Sequence, residues 1–186
     1  MNLFITYYWL TNLLLYVIIN ISVYYDWNGY MIETFEEFEN WLMTEDCFDN
    51  HDVSHIDNDG NQHYLKHSEY ISYLGEVTVL IANKATIKVE QIEKWFPHIA
   101  GTAHAFYNND NGPSFDTHTD PIDVLIECIA GRKTLEVEGK EYTLEPRDKI
   151  GIAKNTEHRA LNYEKALMIS YGIGDTETLT RIRKND

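Results

Sequence analysis

The sequence predicts a mainly β fold, a barrel or jelly roll, with a few helices toward its N-terminus. Three observations carry this. Short apolar-alternating segments follow one another closely from residue 117 to 172. The turn signals GRK, EGK and EPRD separate them. Helical spacing of apolar residues is confined to the preceding half of the chain. Many short antiparallel strands with tight turns close into a barrel or stack as a jelly roll.

The first 30 residues stand apart. Residues 3–25, LFITYYWLTNLLLYVIINISVYY, are uncharged and apolar enough to imitate a membrane span. They lack the cationic start of a signal peptide and the basic flank that orients an anchor, for the first Lys or Arg is Lys66. The expectation is translated upstream sequence with the physiological start at Met31; a membrane anchor or a buried N-terminal element are the alternatives. Residues 31–186 are expected to form a single domain with its chemical core at about 100–173.

From Thr34, ETFEEFENWLM spaces Phe35, Phe38, Trp41 and Leu42 as one face of a helix, and Thr34 with Glu37 fits a capping box. Residues 44–68 are polar and predict a long loop. A strand is expected over Val77–Ala82, a short helix over Val89–Phe96 ended by Pro97, a strand over Thr102–Tyr107, and a turn at NNDNGP. Strands then follow at 117–130, 133–138, 140–144, 149–153, 157–162 and 166–172, with Gly139 at the tip of the EVEGKEY hairpin.

The formal charge of −15 argues against nonspecific nucleic-acid or anionic-membrane binding and favours a neutral or cationic partner. Two cysteines give no disulfide framework. Cys128, in an apolar strand, reads as an inert core thiol, which suits a cytoplasmic setting.

The chemistry concentrates in FDTHTDPIDVLIECIAGRKTLEV, residues 115–137. Ile122, Val124, Ile126, Cys128 and Ala130 share the parity of a buried strand face, and His118 and Asp120 share it too. Both side chains of this H-x-D pair therefore reach one point. His158, 38 residues beyond Asp120, is the best third ligand and faces inward if Ala160 does. Two imidazoles and a carboxylate on one face match the facial triad of non-haem Fe(II) oxygenases, with open positions for cosubstrate and O2. The bland alternative is a strand-end histidine paired with its neighbouring aspartate.

Lys133 falls in step with Leu135 and Val137, and so points inward, unless it snorkels to the rim. A buried ammonium wants an anion, and Glu127 and Glu136 lie on the outward parity. Fe(II), Asp120 and Lys133 sum to two positive charges, which 2-oxoglutarate balances with two negative ones. Its keto and adjacent carboxylate oxygens would chelate the metal while its far carboxylate meets Lys133.

GPSFDTHTD (112–120) followed by EPRDKIGIAKNTEHRALN (145–162) resembles the two cupin motifs. Gly112 precedes His118, Gly131 closes the first motif, and His158 with Asn162 forms the H-x-x-x-N end of the second. Ala153 and Asn155 replace the second motif's usual Pro and Gly; asparagine tolerates the left-handed conformation expected there. HTDPIDVLIECIAGRK is similar to the core of Jumonji-C-type 2-oxoglutarate oxygenases, especially ribosomal-protein and asparaginyl hydroxylases. The match includes a basic residue fifteen positions after the first histidine, here Lys133. The resemblance implies a double-stranded β-helix, Fe(II) held by His118, Asp120 and His158, 2-oxoglutarate anchored by Lys133, and hydroxylation of a C–H bond. It also implies a cosubstrate contact from the strand before His118, for which Tyr107 is the candidate, with Asn108 and Asn109 behind it. A protein side chain is the implied substrate, and the acidic surface suits a basic one. The alternatives are a metal-binding cupin acting on a small molecule without 2-oxoglutarate, as a dioxygenase or isomerase, and a non-catalytic cupin binding module.

Two further patterns are set aside. His51/His55 and His63/His67 have helical zinc spacing, but DNHDVSHIDNDGNQ reads as a solvated loop. HIDNDG echoes a calcium loop with His55 and Lys66 where acidic ligands belong. His104, on a strand beside the proposed centre, reads as a core histidine.

Overall fold

The computed structural model describes residues 32–43, 53–65, 70–89 and 102–173. The expectations for residues 1–30, for the 90–96 part of the short helix, and for Cys47, His51 and His67 lie outside them. Among the described residues no helix is long and apolar enough to cross a membrane.

Helix α1 spans Phe35–Leu42, and its Thr34–Glu37 capping box is formed as the sequence predicts. Phe38 and Leu42 are fully buried. Strands β1 (Val53–Ile56) and β2 (Gln62–Tyr64) form a hairpin. Helix α2 (Tyr70–Ala82) precedes β3 (Thr86–Val89) and β4 (Thr102–Asn108). Then come β5 (Asp123–Gly131), β6 (Lys133–Val137), β7 (Lys140–Leu144), β8 (Lys149–Ile152), β9 (His158–Leu161) and β10 (Ala166–Ile173). A seven-stranded antiparallel sheet runs β2-β1-β3-β4-β10-β5-β8, and a three-stranded sheet runs β7-β6-β9.

The large sheet is covered on both faces. Val124, Ile126, Cys128, Leu135, Ile152 and Met168 pack as the jelly-roll interior. On the other face Leu125, Ile129, Tyr107 and Tyr171 pack with Phe38 and Leu42 of α1. Every residue of β5 from Asp123 to Ala130 is consequently buried. That includes Glu127, expected to face outward: it lies on the helix side, where Tyr171 Oη donates to it at 3.2 Å and Lys149 Nζ approaches to 3.7 Å. Cys128 is a buried free thiol whose pKa burial pushes up to about 11, as suits an inert core group.

Several expectations are corrected. Val77–Ala82, expected as a strand, is the end of α2. Tertiary context overrides β propensity here: Val77 is buried while Val79 is exposed. The helix ends where Lys84 turns left-handed (φ 64°) and Ala85 N–H donates to the Leu80 carbonyl at 2.9 Å. The polar 44–68 loop contains the β1–β2 hairpin, because Asp57 Oδ1 accepts from the N–H groups of Asp59 and Asn61 and so makes the turn. Val89 ends a strand rather than starting a helix. The 117–130 strand begins only at Asp123; Ile122 is 39 % exposed, not buried. A bulge shifts the register between Leu167 and Met168, so Ala130 joins the helix-side core rather than the interior.

Gly131 sits at φ +75°, and a Cβ there would lie 2.1 Å from the Lys165 carbonyl oxygen and 2.7 Å from Phe35 Cζ. Gly139, at φ +74°, has open space around it. The pair separates backbone strain from packing. Gly139→Ala should cost about 1 kcal/mol, the left-handed penalty alone. Gly131→Ala should cost at least about 3 kcal/mol because a backbone carbonyl must move, read as the shift in denaturant midpoint.

Candidate metal centre

His118 and His158 lie on different motifs and exchange both backbone hydrogen bonds, at 3.0 and 2.9 Å, as an isolated antiparallel bridge. Their rings stand 4.5 Å apart. Asp120, two residues on, brings Oδ2 to 3.4 Å from His158 Nε2. One ligand atom from each of His118, Asp120 and His158 falls within 4.8 Å of the others. The structure thus brings the three sequence-predicted ligands together.

Local backbone explains the placement. Asn155 takes the left-handed conformation (φ 60°) anticipated for it, and its N–H donates to the Asp120 carbonyl at 2.8 Å. Asp123 Oδ1 accepts from Lys154 N–H at 2.8 Å. The turn before β9 is therefore tied to both ends of the 120–123 link.

Ring orientation is also fixed. His118 Nδ1 donates to the Asp116 carbonyl at 2.8 Å, and His158 Nδ1 donates to the Thr156 carbonyl at 3.0 Å. A carbonyl only accepts, so each neutral ring keeps its lone pair on Nε2. This is how a histidine is prepared for a metal. When Nε2 carries a proton, the hydrogen bond from the His158 ring holds the Asp120 carboxyl below its ordinary value, against partial burial, with His118 and His104 adding to the effect. Asp120 in turn raises His158. Two imidazoles and a carboxylate fit a divalent first-row metal.

A cavity of about 600 Å³ opens over the triad. Its wall includes Phe106, Val124, Ile126, Leu135 and Met168, with His104 and Ser170 as polar members. His104 therefore faces the site, on the same inward row as Phe106 and Asn108; alternation along β4 was the available signal. The turn residues Asp59, Gly60 and Asn61 of the β1–β2 hairpin supply part of the rim.

Lys133 is 1 % exposed and does not snorkel. Its Nζ donates to Asn108 Oδ1 at 2.9 Å and to Asn162 Oδ1. Both partners are neutral amides, and burial pushes the ammonium pKa down to about 7. Lys133 is not part of the cavity lining. It lies one inward position beyond Leu135, which pairs with Ala160 as Val137 pairs with His158.

Tyr107 is placed elsewhere. It shares a parity with Ala103 and Ala105, so its ring packs on Phe35 and Phe38 and its hydroxyl donates to Glu39 on the helix side. Asn108, one residue later, holds the inward position. Asn162 does so on β9's side, donating its amide N–H groups to Thr86 Oγ1 and the Gly112 and Pro113 carbonyls.

No protein-family model matches the sequence, and no curated protein does. Solved structures do. The structure of YcfD, a ribosomal oxygenase from Escherichia coli, matches 85 % of this chain at 18 % identity with a TM-score of 0.54, and a second structure of E. coli YcfD matches 83 % at 17 % identity with a TM-score of 0.55. Another was determined in complex with cobalt and succinic acid, with the same 18 % identity, 85 % coverage and TM-score of 0.54. This chain spans about half the length of the YcfD chains. A cupin superfamily protein of Desulfitobacterium hafniense aligns with 40 % of this chain and 67 % of its own at 18 % identity, with a TM-score of 0.37. The fold, shared with the YcfD structures over most of this chain, is a mainly β jelly roll.

Proposed function

We propose that the chain is an Fe(II)- and 2-oxoglutarate-dependent oxygenase that hydroxylates a C–H bond. The observation that carries this is the His118–Asp120–His158 face with both Nε2 atoms freed by backbone carbonyls. The buried Lys133 ammonium, facing only neutral amides, supports the cosubstrate. The three ligands would hold the metal and Lys133 the far carboxylate of 2-oxoglutarate. When bound, the pair couples oxidative decarboxylation of 2-oxoglutarate by O2 to oxygen insertion into the substrate. The chain's own part is to orient these groups and to keep water from them with the apolar wall of Phe106, Val124, Ile126 and Leu135. Asp59 and Asp116 at the cavity, with the overall charge of −15, favour a basic substrate, protein or small molecule.

The second reading is a metal-dependent cupin without 2-oxoglutarate chemistry, and one observation favours it. Lys133 is already engaged by Asn108 and Asn162, and Asn108 Nδ2 is itself fixed on the Asn109 and Glu164 carbonyls at 2.9 and 2.8 Å. Anaerobic Fe(II) with 2-oxoglutarate distinguishes the readings. The first expects a weak visible charge-transfer band in wild type, lost in Lys133→Ala while Fe(II) binding persists. A metal-loaded protein without the band sinks it in favour of the second.

Metal uptake should also depend on pH. Asp120 raises His158 above the ordinary imidazole value of 6.5, and His158 must be neutral to bind. Below the raised pKa the metal competes with one proton, so affinity should fall about tenfold per pH unit. The decline should begin on the alkaline side of the ordinary histidine range. Calorimetric metal titrations between mildly acidic and mildly alkaline buffers read it; a flat profile there contradicts the ligand assignment of His158.

A further inference from the structure

The β1–β2 hairpin repeats the device of the barrel centre. At the barrel, an H-x-D segment meets a histidine paired across an antiparallel bridge. In the hairpin, His55-x-Asp57 meets His63, and His55 and His63 are direct cross-strand partners. Their rings stack with centroids 5.2 Å apart and 25° between planes. Asp57 Oδ2 lies 2.6 Å from His63 Nε2. We propose that His55, Asp57 and His63 form a second divalent-metal site, of the Zn2+ class, that clasps this hairpin.

The donors suit such an ion. Two imidazoles and one carboxylate give three protein ligands, with water to complete a tetrahedral shell. Asp57 is held in place by the turn it makes: Oδ1 accepts two backbone N–H groups, and Oδ2 accepts from Asn61 Nδ2 at 3.4 Å and meets His63. His55 carries a buried Nδ1 that has no hydrogen-bond partner. His55 and Asp57, two residues apart, share one face of β1, and His63 lies opposite His55 on that face, so an ion could draw all three side chains together. Among the described residues only the barrel triad already has its donor atoms within 4.8 Å, so the hairpin site closes on binding.

The fold supplies a reason for the clasp. β2 has three residues and is an edge strand of the large sheet among the described residues. A strand that short is marginal alone, and a metal clip that joins the two strands removes loop freedom from the hairpin. The turn between the ligands, Asp59 to Asn61, is part of the cavity rim. Gly60 sits against the Ser114 backbone, where a Cβ would come within 3.3 Å of the carbonyl oxygen. An ion at the hairpin would therefore steady the lip of the barrel cavity. The site does not depend on the oxygenase reading.

Untagged protein carrying His118→Ala and His158→Ala, which disables the barrel centre, is titrated with Co2+ and followed by visible absorption and calorimetry. One equivalent should bind with the intense bands of a four-coordinate ion. Adding His63→Ala should weaken that binding at least about tenfold. His63 is half exposed, so this change leaves the core untouched. A parallel titration needs no barrel variant: the equivalents bound by wild type should fall by one in His63→Ala. If the barrel binds no metal, wild type should show a single equivalent that His63→Ala removes. No Co2+ bound in the barrel variant, or binding indifferent to His63→Ala in both backgrounds, overturns the proposal.

Discussion

Two backbone hydrogen bonds between His118 and His158 hold the candidate centre together. They join the segment that leads into β5 to the start of β9, and so link the large sheet to the small one at the cavity mouth. No side chain needs to find its partner by chance. The bridge fixes the two imidazoles, the i−2 carbonyls fix their tautomers, and the Asn155 N–H fixes the Asp120 backbone. The ligands are thus set before any ion arrives, and the ordering cost is met by folding rather than by binding.

Lys133 works against that economy. A desolvated ammonium with two neutral partners is a poor stabiliser, since burial costs several kcal/mol per ion before hydrogen bonds offset part of it. The depressed pKa of about 7 states the same fact from the proton's side. A carboxylate placed beside Nζ would reverse the balance by favouring the charged form. The interior is therefore unfavourable for an ammonium and improved by an anion. A core selected for stability alone would carry leucine or methionine there.

Much of this was legible in the sequence. Strict alternation puts Lys133 inward and His158 inward if Ala160 is, and both of the latter line the cavity; the capping box places α1. Asn155 was expected to turn left-handed, and it does. What failed did so for identifiable reasons. Tyr107 was chosen for its hydroxyl, but β4 has buried faces on both sides, so burial alone could not say which side it takes; the parity of His104, Phe106 and Asn108 could. Glu127 lies on the outward parity as expected, yet it is buried, because a second packed layer, the helices on the far face, leaves little trace in β5's own sequence. The β-branched Val77–Ala82 run reads as a strand by propensity and folds as a helix. The bulge at Ile129 reverses Ala130, and a one-residue slip of this kind has no compositional signal.

The hairpin and the barrel centre show why the same side chains do different work. Both set a histidine and an aspartate two apart against a cross-strand histidine. At the barrel, His158 is 6 % exposed while His118 is exposed, and the triad lies at the mouth of an apolar cavity. An ion there would face an apolar wall on one side, with room for other ligands. In the hairpin, His63 and Asp57 are 51 % and 30 % exposed, and one oxygen of Asp57 is held by the turn. An ion there would be bathed by solvent and bound to the geometry of the loop. Ligand identity alone does not separate a chemical metal from a structural one. The separation comes from what surrounds the open coordination positions, and in this chain that is decided by whether the histidine pair faces the inside of the jelly roll or its edge.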